Sequence, residues 1–179
     1  VRINSQSGKG GVAFVMETVY GYQMPKAMHK EFADVIQKLS EEIGGEVSPE
    51  QIMEKFESEY LTNKTPYEFV RIKVEDIGEK DSYIHLDYKY NGKDMHVEGE
   101  GNGPIDAVKR AINSHMDLDV CIKDYSEHAM GSGSHAKAAA YIRMRDNRTG
   151  KETYGVGVSS NITRASIRSF FSALNRIVK

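Results

Sequence analysis

The hydrophobic positions of this chain change period about one third of the way along. Between about residues 11 and 61 they recur as on a helix. Met28, Phe32, Val35, Ile36, Leu39 and Ile43 stand at offsets 0, 4, 7, 8, 11 and 15, which places them on one face. Pro25 suits the first turn of that helix, and Gly44-Gly45 ends it. Ser48-Pro49-Glu50-Gln51 then reads as an N-cap, a first-turn proline and a capping-box glutamine. Ile52, Met53, Phe56 and Tyr60 form the buried stripe of this second helix. Two short amphipathic helices make a packing module that docks on another surface.

Thr62-Asn63-Lys64-Thr65-Pro66 is polar and marks a boundary, beyond which the period becomes two. Val70, Ile72 and Val74 alternate with charged residues, and so do Ile84, Leu86, Tyr88 and Tyr90. Tyr90-Asn91-Gly92-Lys93 predicts a two-residue hairpin, because Asn-Gly accepts the positive φ angles of a type I′ turn. The return strand carries Met95 and Val97, glycines break it, and Pro104 opens a helix buried through Ile105, Val108, Ala111 and Ile112. The order then repeats. Strands are expected around Leu118, Val120 and Ile122, around Ala138, Ala140, Ile142 and Met144, and around Tyr154, Val156 and Val158. A closing helix is buried through Ile167, Phe170, Phe171 and Leu174. The fold class is α+β: two tandem β-β-β-α units with pseudo-two-fold symmetry, helices packed on one face of antiparallel sheets, after a small helical subdomain. The expected division is 1–64 and 65–179. The residue echo between the units is faint, Ala111-Ile112-Asn113 against Ala173-Leu174-Asn175.

Composition removes several classes of function. The formal net charge is −2 with both signs interspersed, which argues against nucleic acid or an anionic membrane as partner. No apolar run approaches the roughly 20 residues needed to span a bilayer. A single cysteine, Cys121, excludes an intramolecular disulfide. No signal peptide or lipidation motif is present, so the expected compartment is the cytoplasm. The chain opens on Val1, and it reads as a piece whose N-terminal part has been removed.

Few residues look chemical. Gln6-Ser7-Gly8-Lys9-Gly10-Gly11 lacks the spacing of a phosphate-binding loop and reads as a flexible turn entering a helix. The six histidines show no ligand spacing; His85 and His96 are expected near each other across the hairpin, on a solvated face rather than at a metal. Glu127 and His128 are adjacent on an extended segment and point to opposite faces, which weakens an acid–base pairing. The Gly/Ser-rich stretch at 124–133 is expected to be mobile or ligand-contacting. Gly99-Glu100-Gly101-Asn102-Gly103-Pro104 either lets backbone approach a ligand or makes a tight strand-to-helix turn. Ser159-Ser160-Asn161-Ile162-Thr163 occupies the same junction of the second unit.

Asn4-Ser5-Gln6-Ser7-Gly8-Lys9-Gly10-Gly11, Gly101-Asn102-Gly103-Pro104 and Tyr125-Ser126-Glu127-His128-Ala129-Met130, in this order, resemble the 2-isopropylmalate synthases. Gly155-Val156-Gly157 and Ala173-Leu174-Asn175-Arg176 fit as well, so the likeness runs over essentially the whole chain. The resemblance implies an enzyme that condenses acetyl-CoA with 2-oxoisovalerate on a metal-dependent TIM barrel, the first committed step of leucine synthesis. Barrel and divalent metal lie outside this chain, which would be inactive alone and hold no cofactor and no catalytic residue. Residues 1–64 resemble the distal linker, and 65–179 the regulatory domain that forms a homodimer and binds L-leucine at its interface. Carried over by motif, the leucine site comprises Gly101, Gly103, Ile105, Ile122, Tyr125, Ala129, Ala136 and Ile162. Asp106 departs from the small apolar residue expected at its place. The citramalate synthases, which answer to isoleucine, are the neighbouring reading; a dimerisation module without ligand is another.

Overall fold

In the computed structural model, which describes residues 8–131 and 133–179, the first third forms α1 (Gly8–Tyr20), α2 (Lys26–Ile43) and α3 (Pro49–Phe56). The last runs into a π-helical turn (Glu57–Leu61). There are thus three helices where two were expected. Gly8, Gly10 and Gly11 belong to α1 instead of a flexible turn, while Gln6 and Ser7 lie outside the described residues. Pro25 is the N-cap of α2, one place before its first turn. The buried row of α2 is Met28, Phe32, Ile36 and Ser40. Such an i, i+4 row drifts round the helix by about 40° per step. It reaches Ser40, which donates to the Gly45 carbonyl (2.7 Å), while Ile43, the last residue of the helix, is exposed. The Ser48 capping box forms as read: Ser48 Oγ accepts from the Gln51 N–H, and Gln51 Oε1 accepts from the Ser48 N–H.

The remaining chain gives β1 (Tyr67–Asp76), β2 (Ser82–Tyr90), β3 (Lys93–Gly101) and α4 (Pro104–Met116), then β4 (Val120–Met130), β5 (Lys137–Asp146), β6 (Glu152–Ser159) and α5 (Ile162–Ile177). Each unit is an antiparallel three-stranded sheet in sequential order followed by its helix, the tandem β-β-β-α arrangement expected. Asn91 (φ 50°) and Gly92 (φ 81°) make the predicted turn, pairing Tyr90 with Lys93.

The two units echo each other in detail. A bulge falls three residues into β1, at Val70, and three residues into β4, at Lys123. The bulge takes Val70 out of the expected alternation: it is exposed, and Phe69 instead stacks on Phe171 with ring centroids 5.8 Å apart. Asn113, near the end of α4, clamps the start of β4, donating to the Val120 carbonyl and accepting from its N–H, both at 3.0 Å. Asn175, near the end of α5, clamps Tyr67 at the start of β1 in the same way, at 2.7 and 2.8 Å. The faint Ala-x-Asn echo is therefore a structural device: each helix ties down the first strand of the other unit. Its alanine has a partner too. A Cβ on Gly99 would lie 3.2 Å from Ala111 Cβ, and one on Gly155 would lie 2.1 Å from Ala173 N.

Two apolar cores result. One lies between the sheets and α4 and α5, around Ile84, Leu86, Val108, Ile142, Phe170 and Leu174. The other forms where α1–α3 cover the outer face of the second sheet through Ala139, Tyr141, Tyr154 and Val156, so the module docks on a sheet of its own chain. A polar cluster fastens this contact. Glu31 accepts from Tyr60 Oη (2.7 Å) and Thr153 Oγ1 (2.8 Å), and Arg176 pairs with Glu59 while lying 4.4 Å over the Tyr60 ring. Burial and the neighbouring Glu31 push the Tyr60 hydroxyl well above the usual phenol range.

Candidate effector site

The eight expected residues fall in three places. Gly101 ends β3, Gly103 is the N-cap of α4 and Ile105 lies in its first turn. Gly103 has φ 100°, a conformation other residues adopt only with strain. Ile122, Tyr125 and Ala129 lie along β4 opposite Met144, Ile142 and Ala138. The bulge at Lys123 is what keeps Ile122 and Tyr125 on one face although they are an odd number apart. Ala136 sits between a 3-10 turn (Gly133–His135) and β5, and Ile162 opens α5.

Ile105, Ile122 and Tyr125 are all half-buried against the core between the sheets. Ala129 is in register with Ala138, and Ala138 with Ser159, so the tip of β4 lies at the end of the sheet from which α5 starts. Ala129 and Ile162 are exposed, and the contacts join neither to the core. A cavity of about 310 Å³ lies between the 61–69 segment, β6 and α5, edged by Arg164, Arg168 and Phe171. None of the eight residues lines it.

The glycines at the first junction have an occupant already. A Cβ on Gly101 would come within 2.6 Å of Ala107 N and of Asp106 Oδ2, so its bare face is filled by α4. Asp106 turns back on the same turn. Its Oδ2 accepts from the Asn102 N–H (2.9 Å) and from Arg110 Nε (2.8 Å), and Lys109 lies 3.1 Å from Oδ1. Burial pushes this carboxyl up, but those three donors outweigh it and hold it at about 2. Asp106 thus fixes the turn. As a helix-start carboxylate at N3 it could have been read from the sequence. Asp106→Asn is expected to cost about 1.5–3 kcal/mol at neutral pH, the range for a hydrogen bond to a charged group. A carboxyl depressed on folding stabilises above its unfolded pKa of about 4. The difference between the two proteins should therefore shrink as pH falls from about 4 towards the folded value of about 2. Thermal melts across that window check it.

The two faces of β4 have different partners. Glu127, on the Tyr125 face, accepts from Tyr125 Oη (2.6 Å). His128, on the other, stacks on Tyr141, and its Nε2 accepts from the Gln23 N–H at 3.1 Å in the link between α1 and α2. The two residues belong to separate surroundings and form no acid–base pair. Nothing in the sequence signalled the long-range bond to Gln23.

Residues 46–178 match the family described as the LeuA allosteric (dimerisation) domain. The chain is 45% identical over 181 residues to 2-isopropylmalate synthase of Clostridium acetobutylicum, covering 98% of this chain and 32% of that protein. The enzyme of that name from Corynebacterium glutamicum is 41% identical over 178 residues, with 98% and 28% covered. That from Mycobacterium leprae is 42% identical over 179 residues, with 98% and 29% covered. The chain spans about a third of the length of these curated relatives. On the family match, which takes in both sheets with α4 and α5, this chain belongs to the LeuA allosteric (dimerisation) domain family.

Proposed function

We propose that this chain is the leucine-responsive regulatory piece of a cytoplasmic 2-isopropylmalate synthase. Residues 1–64 form its distal linker, and 65–179 dimerise and bind L-leucine at the interface. The condensation of acetyl-CoA with 2-oxoisovalerate, and the divalent metal it uses, belong to a barrel outside these residues. The reading is supported by Ile105, Ile122 and Tyr125, which are half-buried against the core between the sheets, and by Ala129 and Ile162, which are left exposed. Small and branched residues suit a four-carbon side chain, and a second copy would supply the missing wall. The start of α5 suits the carboxylate, since its first turn holds no acidic residue.

Feedback requires different affinity for leucine in two states of the enzyme. Strand β4 offers the link: one face carries Ile122, Tyr125 and Ala129, and the other holds the α1–α2 connection through His128. Leucine would stiffen β4 and the 128–135 segment that begins in its last residues, and pass the change to the linker helices.

Calorimetric titration with leucine, isoleucine and valine tests this. Leucine should bind selectively, and Ala129→Leu, which fills the space meant for the ligand, should weaken it at least about tenfold, or 1.4 kcal/mol, without loss of fold. Amide exchange in the 128–135 segment should slow on binding. Preference for isoleucine would make the parent a citramalate synthase. A dimer that bound none of the three would be a structural module, and the site would be withdrawn.

A further inference from the structure

The Asn91-Gly92 turn fixes more than the hairpin. With Tyr90 opposite Lys93, His85 falls opposite Glu98 and Asp87 opposite His96, all on the polar face of the first sheet, away from the core. Directly opposed side chains on one face have Cβ atoms about 4.5–5.5 Å apart, close enough to share a ligand. Glu98 Oε2 lies 3.3 Å from His85 Nδ1 and 2.9 Å from His96 Nε2. The three donor atoms are all within 4.8 Å of one another.

The outer side of each group is also held. His85 Nε2 faces Glu75 Oε2 at 3.2 Å, and His96 Nδ1 faces Asp87 Oδ1 at 2.7 Å. Asp87 is itself paired with Arg71 (2.7 Å), and Glu98 Oε1 accepts from Tyr83 Oη (2.9 Å). A neutral imidazole has one N–H and one lone pair. Here both nitrogens of both rings face carboxylate oxygens. Without a cation, each ring either carries a proton on both nitrogens or sets a lone pair against an oxygen. A metal ion between the rings removes the conflict. The inner lone pairs of His85 and His96 go to the ion with Glu98, and the outer N–H groups donate to Glu75 and Asp87. This carboxylate–histidine–metal arrangement is how ligating histidines are usually oriented. Tetrahedral bonds of about 2.0–2.2 Å set donors roughly 3.3–3.6 Å apart; the two histidine nitrogens lie 3.3 and 2.9 Å from Glu98 Oε2, near that spacing.

We propose that His85, His96 and Glu98 form a binding site for a divalent transition ion of the zinc class, oriented by Glu75 and Asp87 and with room for a further ligand from water or another molecule. Two imidazoles and a carboxylate favour zinc over magnesium, which prefers oxygen donors. The ion would pin β2 to β3 independently of leucine.

The test is titration of the 179-residue chain with Zn2+ against a chromophoric chelator, with Co2+ as a visible-absorption probe. One ion per chain is expected, with the strong visible bands of a four-coordinate cobalt site and no competition from Mg2+. His85→Ala and His96→Ala should abolish that site. Asp87→Asn and Glu75→Gln remove no ligand and should weaken it about 10–100-fold, with near-UV circular dichroism unchanged. Absence of Zn2+ binding would overturn the proposal. So would binding that survives His85→Ala and His96→Ala, or that Asp87→Asn and Glu75→Gln leave at full strength, since that marks chance chelation by surface histidines.

Discussion

Gly155→Ala and Gly157→Ala are each expected to destabilise the protein by at least about 3 kcal/mol, the upper end of the range for overpacking. For a chain of this size that lowers Tm by roughly 6–12 °C. A Cβ at 155 would stand 2.1 Å from Ala173 N and 2.3 Å from Ser169 O; one at 157 would stand 2.1 Å from Ala165 O and 2.5 Å from Ser169 N. These obstacles are helix backbone. The helix cannot yield by a change of rotamer, so α5 must lift from β6 as a body. It carries Ile167, Phe170, Phe171, Ala173 and Leu174 into the core between the sheets, and lifting it opens that core. Gly99→Ala is the graded comparison, because its new Cβ meets only Ala111 Cβ at 3.2 Å among the tight contacts, and a loss nearer about 1 kcal/mol is expected. Gly45→Ala meets nothing within 4 Å and should cost little. Urea denaturation of the four variants gives the order. A Gly155→Ala protein as stable as Gly45→Ala would show that α5 does not rest on β6 at this distance.

The asparagine clamps give the second large effect. Asn175 is buried, and its amide serves Tyr67 N–H, Tyr67 C=O and the Asn63 carbonyl, the last at 2.6 Å. Asn175→Ala leaves one buried donor and two acceptors without a partner. At about 1–3 kcal/mol for each unsatisfied group, less what relaxation recovers, a loss of roughly 3–4 kcal/mol follows. Asn113 makes the equivalent clamp on Val120 from a half-buried position that water can reach. Asn113→Ala should therefore cost only about 1–2 kcal/mol. The same substitution at pseudo-equivalent places is thus expected to differ by a factor of about two, because burial decides what an orphaned group costs. Amide exchange separates them further: Asn175→Ala should speed exchange around residues 62–67, where the helical module joins β1, and Asn113→Ala around 117–121. Equal losses, or exchange changes confined to the helix ends, would mean that the side chains only cap α4 and α5.

Local physics made much of this legible from the chain alone. The helical stripe of α2, the Ser48 capping box, the Asn-Gly hairpin and the order of the two units rest on residues within a few positions of each other; the last three formed as read, and the stripe did so apart from its end, where Ser40 is buried and Ile43 exposed. The hairpin turn even fixed which residues of β2 and β3 oppose, so the meeting of His85 with Glu98 was implicit in Asn91-Gly92. What the sequence left open depends on partners far along the chain. The bulges at Val70 and Lys123 break a period of two that the residue pattern continues, since the strand must re-aim to meet Phe171 on one side and Ile142 on the other. Gly101 could have served a ligand or a helix, and only the packing of α4 against it shows the helix there. The effector residues came from a family likeness rather than from spacing. The tertiary structure half-buries Ile105, Ile122 and Tyr125 against the core between the sheets and leaves Ala129 and Ile162 exposed. Periodicity and turn chemistry are local energies, and they determined the elements. The distance at which one element rests on another, and so the faces left open, is set by side-chain volume and hydrogen-bond demand summed over the whole fold.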